Sequence, residues 1–114
     1  MLRVLTLVGM ALFASASIAV AEIGKSRPAS CLLVVKGQEM IRGECSFTPL
    51  DRDGTFMISS YNGKYFAYVS IIRKGVAEGS WNEDPYAGRA HTPLGTLYRE
   101  EGCWVNNYAS VCAY

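Results

Sequence analysis

The sequence predicts an all-β fold, a small antiparallel β-barrel or two-sheet sandwich of consecutive hairpins, and three observations point to it. From residue 31 onward, short β-branched and aromatic runs alternate with glycine, asparagine and aspartate turns. Beyond the apolar amino terminus no stretch holds a 3.6-residue apolar period, and no internal repeat is present. Four cysteines sit at spacings that suit bridges across hairpins. Seven or eight short strands in about 80 residues cannot hide their apolar sides in one flat sheet, so closure or stacking is required.

Taken in order, Met1, Leu2 and Arg3 give a short positive start, residues 4–20 form an almost unbroken apolar run without charge, and Ala19-Val20-Ala21 offers a small-x-small cleavage pattern. These features read as a cleavable signal peptide over 1–21, cut before Glu22. A membrane anchor competes, because the run approaches the length of about 20 residues that spans a bilayer. Gly9, Ser15 and Ser17 dilute it, however, and the cleavage pattern closes it. Since the first cysteine is Cys31, lipid attachment beside the cleavage site is not expected. Residues 22–30 are polar, contain Pro28 and show no period, which reads as a flexible N-terminal arm. Residues 31–114 read as a single β domain in the periplasm or outside the cell.

Within that domain, residues 31–35 and 40–47 form the first two runs, with Lys36-Gly37-Gln38-Glu39 between them. The turn at residues 51–54 leads into a run over 55–59, and residues 65–72, the longest run, are expected to be the central strand. Asn62-Gly63 joins those two as a type I′ hairpin turn, because both residues tolerate positive φ. Residues 76–81, 94–99, 103–106 and 108–113 complete the set.

Two disulfides follow from four cysteines in a small exported chain. Thirteen residues separate Cys31 from Cys45 and eight separate Cys103 from Cys112, with no C-x₂-C knuckle for zinc. Cys31 and Cys45 lie equally far from Gln38, and Cys103 and Cys112 flank the Asn107-Tyr108 step symmetrically. Antiparallel partners keep a constant sum of residue numbers, so of the three possible connectivities Cys31–Cys45 and Cys103–Cys112 are favoured. A one-residue slip in either register would remove that support.

The full chain carries 11 Lys and Arg against 10 Asp and Glu, and removal of Arg3 with the signal peptide leaves the mature domain balanced. Such a chain is not a general nucleic-acid or membrane-surface binder, which would carry a clustered basic excess. Recognition therefore rests on local geometry, with a protein as the expected partner and neither metal nor cofactor called for. Two segments gather suitable groups. The first is the hairpin tip with Ser59, Ser60, Tyr61, Asn62 and Lys64, a polar and aromatic set on a ribbon suited to a partner's cleft. The second is the loop 82–93, with Trp81 at its mouth and Glu83, Asp84, Tyr86, Arg89 and His91 along it. An ordinary connection is the plain alternative there, with Trp81 in the core, Arg89 paired to Glu83 or Asp84, and His91 bonded to backbone.

No catalytic residue is expected. A G-x-S-x-G elbow is missing. His91 followed by Gly102-Cys103-Trp104 is similar to the His and Gly-Cys elements of cysteine-nucleophile enzymes that act on cell walls, which leaves a small cell-wall enzyme as an alternative function. The spacing is short, no arginine follows the cysteine, and a disulfide accounts for Cys103 better. Asp51-x-Asp53-Gly54 resembles the opening of a calcium loop but lacks the later glycine and terminal glutamate, so a hairpin turn explains it.

Around Ser60, Gly63 and Tyr65, in a small exported β domain with a cysteine near its end, the chain resembles bacterial periplasmic inhibitors of c-type lysozyme. The resemblance covers about a dozen positions. It implies a barrel that inserts a serine- and glycine-containing loop into a lysozyme cleft, with Ser60 and Lys64 as the inserting residues. Tyr61-Asn62 between the serine and the glycine departs from that pattern. A binding module, in one form an inhibitor of lysozyme or a related hydrolase, is the leading expectation. A structural envelope protein without a dedicated site is the third reading.

Overall fold

Alternating burial sets the inner and outer faces of each strand. The computed structural model describes residues 22–114, and the expected signal peptide, 1–21, lies outside the described residues. Eight strands follow in chain order: β1 (Arg27–Val35), β2 (Gln38–Pro49), β3 (Phe56–Ser60), β4 (Phe66–Arg73), β5 (Val76–Trp81), β6 (Thr92–Glu100), β7 (Cys103–Val105) and β8 (Ala109–Ala113). Each pairs antiparallel with its neighbour, and β8 returns to pair with β1, closing a barrel. Closure, not two stacked sheets, hides the apolar face, and it leaves no central strand. The longest strand is β2, at 12 residues against 8 for β4.

Eight strands enclose an interior just wide enough to be filled by side chains or to admit one small ligand. Leu33, Ile58, Ala67, Val69, Ala77, Leu97 and Val111 fill it and are wholly buried. Each large aliphatic among them contributes about 1.5–3 kcal/mol through burial. Gly79 takes part by having no side chain, since a Cβ there would lie 2.6 Å from Leu97 Cδ1 and 3.1 Å from Leu94 Cβ.

The first hairpin differs from its expected register. Its turn is Lys36-Gly37 alone, with φ of 52° and 78°, which is the positive-φ pair of a type I′ turn. A bulge between Leu33 and Val34 follows, so Cys31 lies opposite Gly43 and Cys45 opposite Ala29. This displacement is an even number of positions, so both cysteines keep the same face. The Cys31–Cys45 disulfide forms diagonally, with Cα atoms 5.8 Å apart. Cys103 and Cys112 are direct partners across β7 and β8, as expected, and are bonded with Cα atoms 4.1 Å apart. Cys31 and Cys45 belong to the interior core, whereas Cys103–Cys112 lies on the outer face, because Trp104 and Val111 hold the inward positions beside it.

Asn62-Gly63 is not a two-residue turn. Only Gly63 has positive φ, 74°, and the connection runs over residues 61–65 between β3 and β4. The arm expected over 22–30 is in part strand, because Arg27 to Ser30 pair with Phe47 to Glu44. The residues before it are tied to the end of β2, through a 2.6 Å bond from Gly24 N to Pro49 O and a 2.6 Å bond between the Ser26 and Thr48 hydroxyls. At the 51–55 turn, Asp51 Oδ1 accepts from Asp53 N at 2.8 Å and Thr55 N at 3.1 Å, the side-chain-to-backbone pattern of a hairpin connection. Desolvation pushes this carboxyl up, but the hydrogen bonds from Thr55, Asp53 and Gly54 outweigh it and hold Asp51 below its ordinary value.

Three outcomes follow from the packing and the bridges. Replacing Cys31 and Cys45 together by serine lowers the unfolding free energy by about 2–4 kcal/mol in urea titration. Under native conditions dithiothreitol reduces Cys103–Cys112 first, because Cys103, unlike its buried partner Cys112 and unlike Cys31 and Cys45, is partly exposed to thiolate attack; mass mapping of alkylated protein reads the order. Gly79→Ala costs about 1–3 kcal/mol by overpacking against Leu94 and Leu97. A Gly79→Ala domain as stable as the parent would show that the core at this point is loose.

Candidate functional site

Strand polarity sorts the connections between the two barrel ends. One end carries the turns after β1, β3, β5 and β7, and so brings the 61–65 tip and the loop between β5 and β6 to the same rim. Thr92 and Pro93 belong to β6, which shortens the free loop to residues 82–91.

Asn82 joins these two segments. Its side chain is wholly buried and makes bonds in both directions. Oδ1 accepts from Phe66 N at 2.7 Å, while Nδ2 donates to Ala87 O at 2.9 Å, to Lys64 O at 3.2 Å and to Asp84 O at 3.5 Å. Lys64 O also accepts from Tyr86 N at 2.9 Å. The amide thus supplies the acceptor and donors that a paired strand would have given where β4 and β5 run out. Tyr86 has φ of 65°, left-handed backbone that a non-glycine residue adopts at a cost and that these bonds hold.

The tip is braced from within. Ser60 Oγ donates to Asn62 Oδ1 at 2.8 Å and accepts from Tyr65 N at 3.0 Å, and Asn62 Oδ1 also accepts from Lys64 N at 3.0 Å. Ser60 and Asn62 therefore shape the loop, and Ser60 keeps one lone pair for any other contact. What the tip presents outward is Tyr61, 83 % exposed, with the half-buried Lys64 beside it. Ser59 is not at the tip, being paired in the ladder with Ser46 and Phe66.

Along the loop, Glu83, Asp84, Tyr86, Arg89 and His91 are all exposed. Thr92 Oγ1 donates to Glu83 Oε1 at 3.3 Å, His91 Nδ1 bonds Arg89 O at 3.1 Å, and His91 Nε2 lies 3.9 Å from Asp84 Oδ2. Arg89 forms no ion pair among the described residues, contrary to the pairing with Glu83 or Asp84 of the plain alternative. Trp81 packs in the core, 3 % exposed, against Tyr65 at 5.7 Å between ring centroids. It also walls a recess of about 330 Å³ with Lys36, Met40, Glu83 and Tyr108, and its buried Nε1 has no acceptor among the described residues.

A second recess, about 430 Å³, lies between the tip and β2. The pairing of β2 with β3 begins only at Cys45 and Ser60, so residues 38–44 of β2 have a free side facing Tyr61, Lys64 and Tyr65. A two-pronged ion pair guards that side, with Arg42 Nε and Nη2 donating to Glu39 Oε1 and Oε2 at 2.8 and 2.7 Å. The hydrogen bond from Arg42 holds the Glu39 carboxyl below its ordinary value. Charges at such a position discourage indiscriminate strand addition.

His91 and Cys103 are not brought together. His91 immediately precedes β6 at this rim, and Cys103 pairs with Glu100 at the strand's other end, about 30 Å along nine residues. With Cys103 bonded to Cys112, that pair forms no catalytic dyad. The residue that sequence reasoning passed over is Asn82, noted only as the start of a loop. A polar residue directly after the last core position of a strand, at the head of a long connection, is the signal that marks it.

Asn82→Ala removes the side-chain partner of Phe66 N and of Ala87 O and one of the two donors to Lys64 O, and is expected to cost about 2–4 kcal/mol in urea titration. Asn82→Asp keeps the acceptor and loses the donors. Hydrogen exchange should then speed at the Tyr86 amide while the Phe66 amide stays protected, and equal protection at both would show that the side chain does not tie the loop. No known protein family, curated protein or solved structure matches the chain.

Proposed function

We propose that the domain is an exported binding module that docks a partner protein with the rim carrying the 61–65 tip and the 82–91 loop. The observation that carries this reading is the Asn82 junction, which locks two otherwise separate loops into one frame. A pre-ordered surface loses little conformational entropy on docking. Tyr61 and Tyr86 stand 83 % and 68 % exposed on that frame, and tyrosine is among the residue types that dominate binding energy at interfaces. Lys64, Arg89, Glu83 and Asp84 place both signs of charge around them, which suits a specific polar partner better than a uniformly charged surface. The two disulfides are the form that cysteines keep in an oxidising compartment outside the cytoplasm, which agrees with a periplasmic or secreted protein.

By the resemblance to lysozyme inhibitors, the partner is a lysozyme-like hydrolase. Here Tyr61 and Lys64 are the groups free to enter a cleft, with Ser60 shaping the loop that carries them.

The test is inhibition of a c-type lysozyme by the purified domain. Inhibition at micromolar or lower concentration is expected, weakened about tenfold or more by Tyr61→Ala and by Tyr86→Ala. Unchanged lysozyme activity at micromolar excess, together with a pull-down that yields no hydrolase, would end the inhibitor reading.

A further inference from the structure

The opposite barrel end has different chemistry. There the inner faces of the strands finish in charge and aromatic rings. The two-residue period that buries Cys31 and Leu33 in β1 continues on the same face to Ala29 and Arg27. Arg27 pairs across to Phe47, itself opposite the wholly buried Ile58, and Arg99 pairs across to the buried Trp104. Both arginines therefore hold positions of the inward phase at the mouth, where their side chains are exposed. They line a recess of about 350 Å³ together with Phe47, Phe56, Trp104 and Lys74. That volume falls near the lower end of small-molecule sites, about 300–1,000 Å³.

The floor is aromatic. Phe47 and Phe56 stack with centroids 5.0 Å apart, the Arg27 guanidinium lies 4.6 Å over Phe47, and that of Arg99 lies 5.6 Å from the Trp104 ring. A guanidinium resting on a ring uses its flat face and leaves its in-plane N–H donors available. Of these, Arg99 commits Nε to Glu101 O at 2.6 Å. Neither arginine, nor Lys74, forms an ion pair among the described residues, and Asp53, the acid lining the same recess, reaches none of them within salt-bridge distance. Three cations without carboxylate partners around a ring-lined recess leave a local positive excess in a domain whose total charge is balanced.

We propose that this mouth binds a small aromatic organic anion, a carboxylate or sulfonate of one or two rings. Its ring enters the recess beside the edges of Phe47 and Trp104 and against Ala29 and Ile71, and its anionic group takes the free donors of Arg27 and Arg99, with Lys74 adding charge. The ligand is held without covalent chemistry. This site lies at the end opposite the protein-docking rim and stands independently of it.

Two fluorescent probes of similar ring size test it, the sulfonate 8-anilinonaphthalene-1-sulfonate and the uncharged N-phenyl-1-naphthylamine. The sulfonate should bind the folded domain saturably at one site, about tenfold or more tighter than the neutral probe. Raising NaCl from about 0.05 to about 0.5 M should weaken it several-fold. Arg27→Gln with Arg99→Gln, checked for folding by near-ultraviolet circular dichroism, should weaken it about tenfold or more, while Tyr86→Ala at the other end leaves it unchanged. Equal affinity for the two probes, binding indifferent to salt, or loss of binding in Tyr86→Ala would each overturn the site. So would a folded double variant that binds the sulfonate as the parent does.

Discussion

The pairing of β8 with β1 is the constraint on which the rest depends. It runs from Cys31 opposite Ala113 to Val35 opposite Ala109, and it turns what would be two exposed edges into one more ladder. One side of this seam is poorly equipped to hold it alone, since β8 has five residues and β7, its neighbour on the other side, has three. Each disulfide ties a seam strand to its outer neighbour, Cys31–Cys45 joining β1 to β2 and Cys103–Cys112 joining β8 to β7. The consecutive strands β7, β8, β1 and β2 are thereby cross-linked across the point where the first and last strands meet. One bridge lies in the core and the other outside, so the seam is held from both faces.

With closure secured, the two rims are free to diverge. At the rim that carries the 61–65 tip and the 82–91 loop, carboxamides complete the hydrogen bonding where ladders end. Asn82 serves the β4–β5 side, and Asn106 serves the β7–β8 turn, donating from Nδ2 to Leu94 O and Thr96 O at 2.9 Å and accepting Tyr108 N and Ala109 N at 2.7 Å. An amide suits both positions because it carries donors and an acceptor on one short, neutral group, as a peptide unit does. At the far rim, arginines take inward positions that apolar residues hold deeper in the barrel, and aromatic rings beneath them make that placement tolerable.

All eight strands could be located from the sequence because period-two runs bounded by glycine and asparagine carry the signal directly. Cys103–Cys112 followed from direct pairing across its hairpin. Cys31–Cys45 was anticipated through a mistaken register, and the bond survived because an even displacement preserves the face on which both cysteines lie. Lys36-Gly37 hid the true turn, since lysine seldom adopts positive φ, while Asn62-Gly63 advertised a tight turn that the bonds of Ser60 and Asn62 open into a five-residue loop. The 61–65 and 82–91 loops were visible as departures from strand composition, but the Asn82 junction was not, because it depends on which backbone groups are left over once β4 and β5 stop. The cationic mouth was hidden for a related reason. Arg27 falls in a segment that reads as an unstructured arm, and only the continued pairing with Phe47 assigns it an inward face.

The separation of the rims decides how they can influence one another. β6 links them through nine residues, about 30 Å along the strand, whereas exposed charges are screened over about 8 Å at physiological ionic strength. An anion at the arginine mouth therefore exerts little direct field on Lys64 or Asp84. Mechanical coupling would have to pass through the closely packed interior around Leu33, Leu97 and Val111 and a wall cross-linked on both sides of its seam. Energetic coupling between distant sites needs an element with two alternative packings that both sites bias. A small closed barrel stapled at its seam is a rigid spacer instead, so if both proposed sites bind, occupancy at one is expected to leave affinity at the other unchanged.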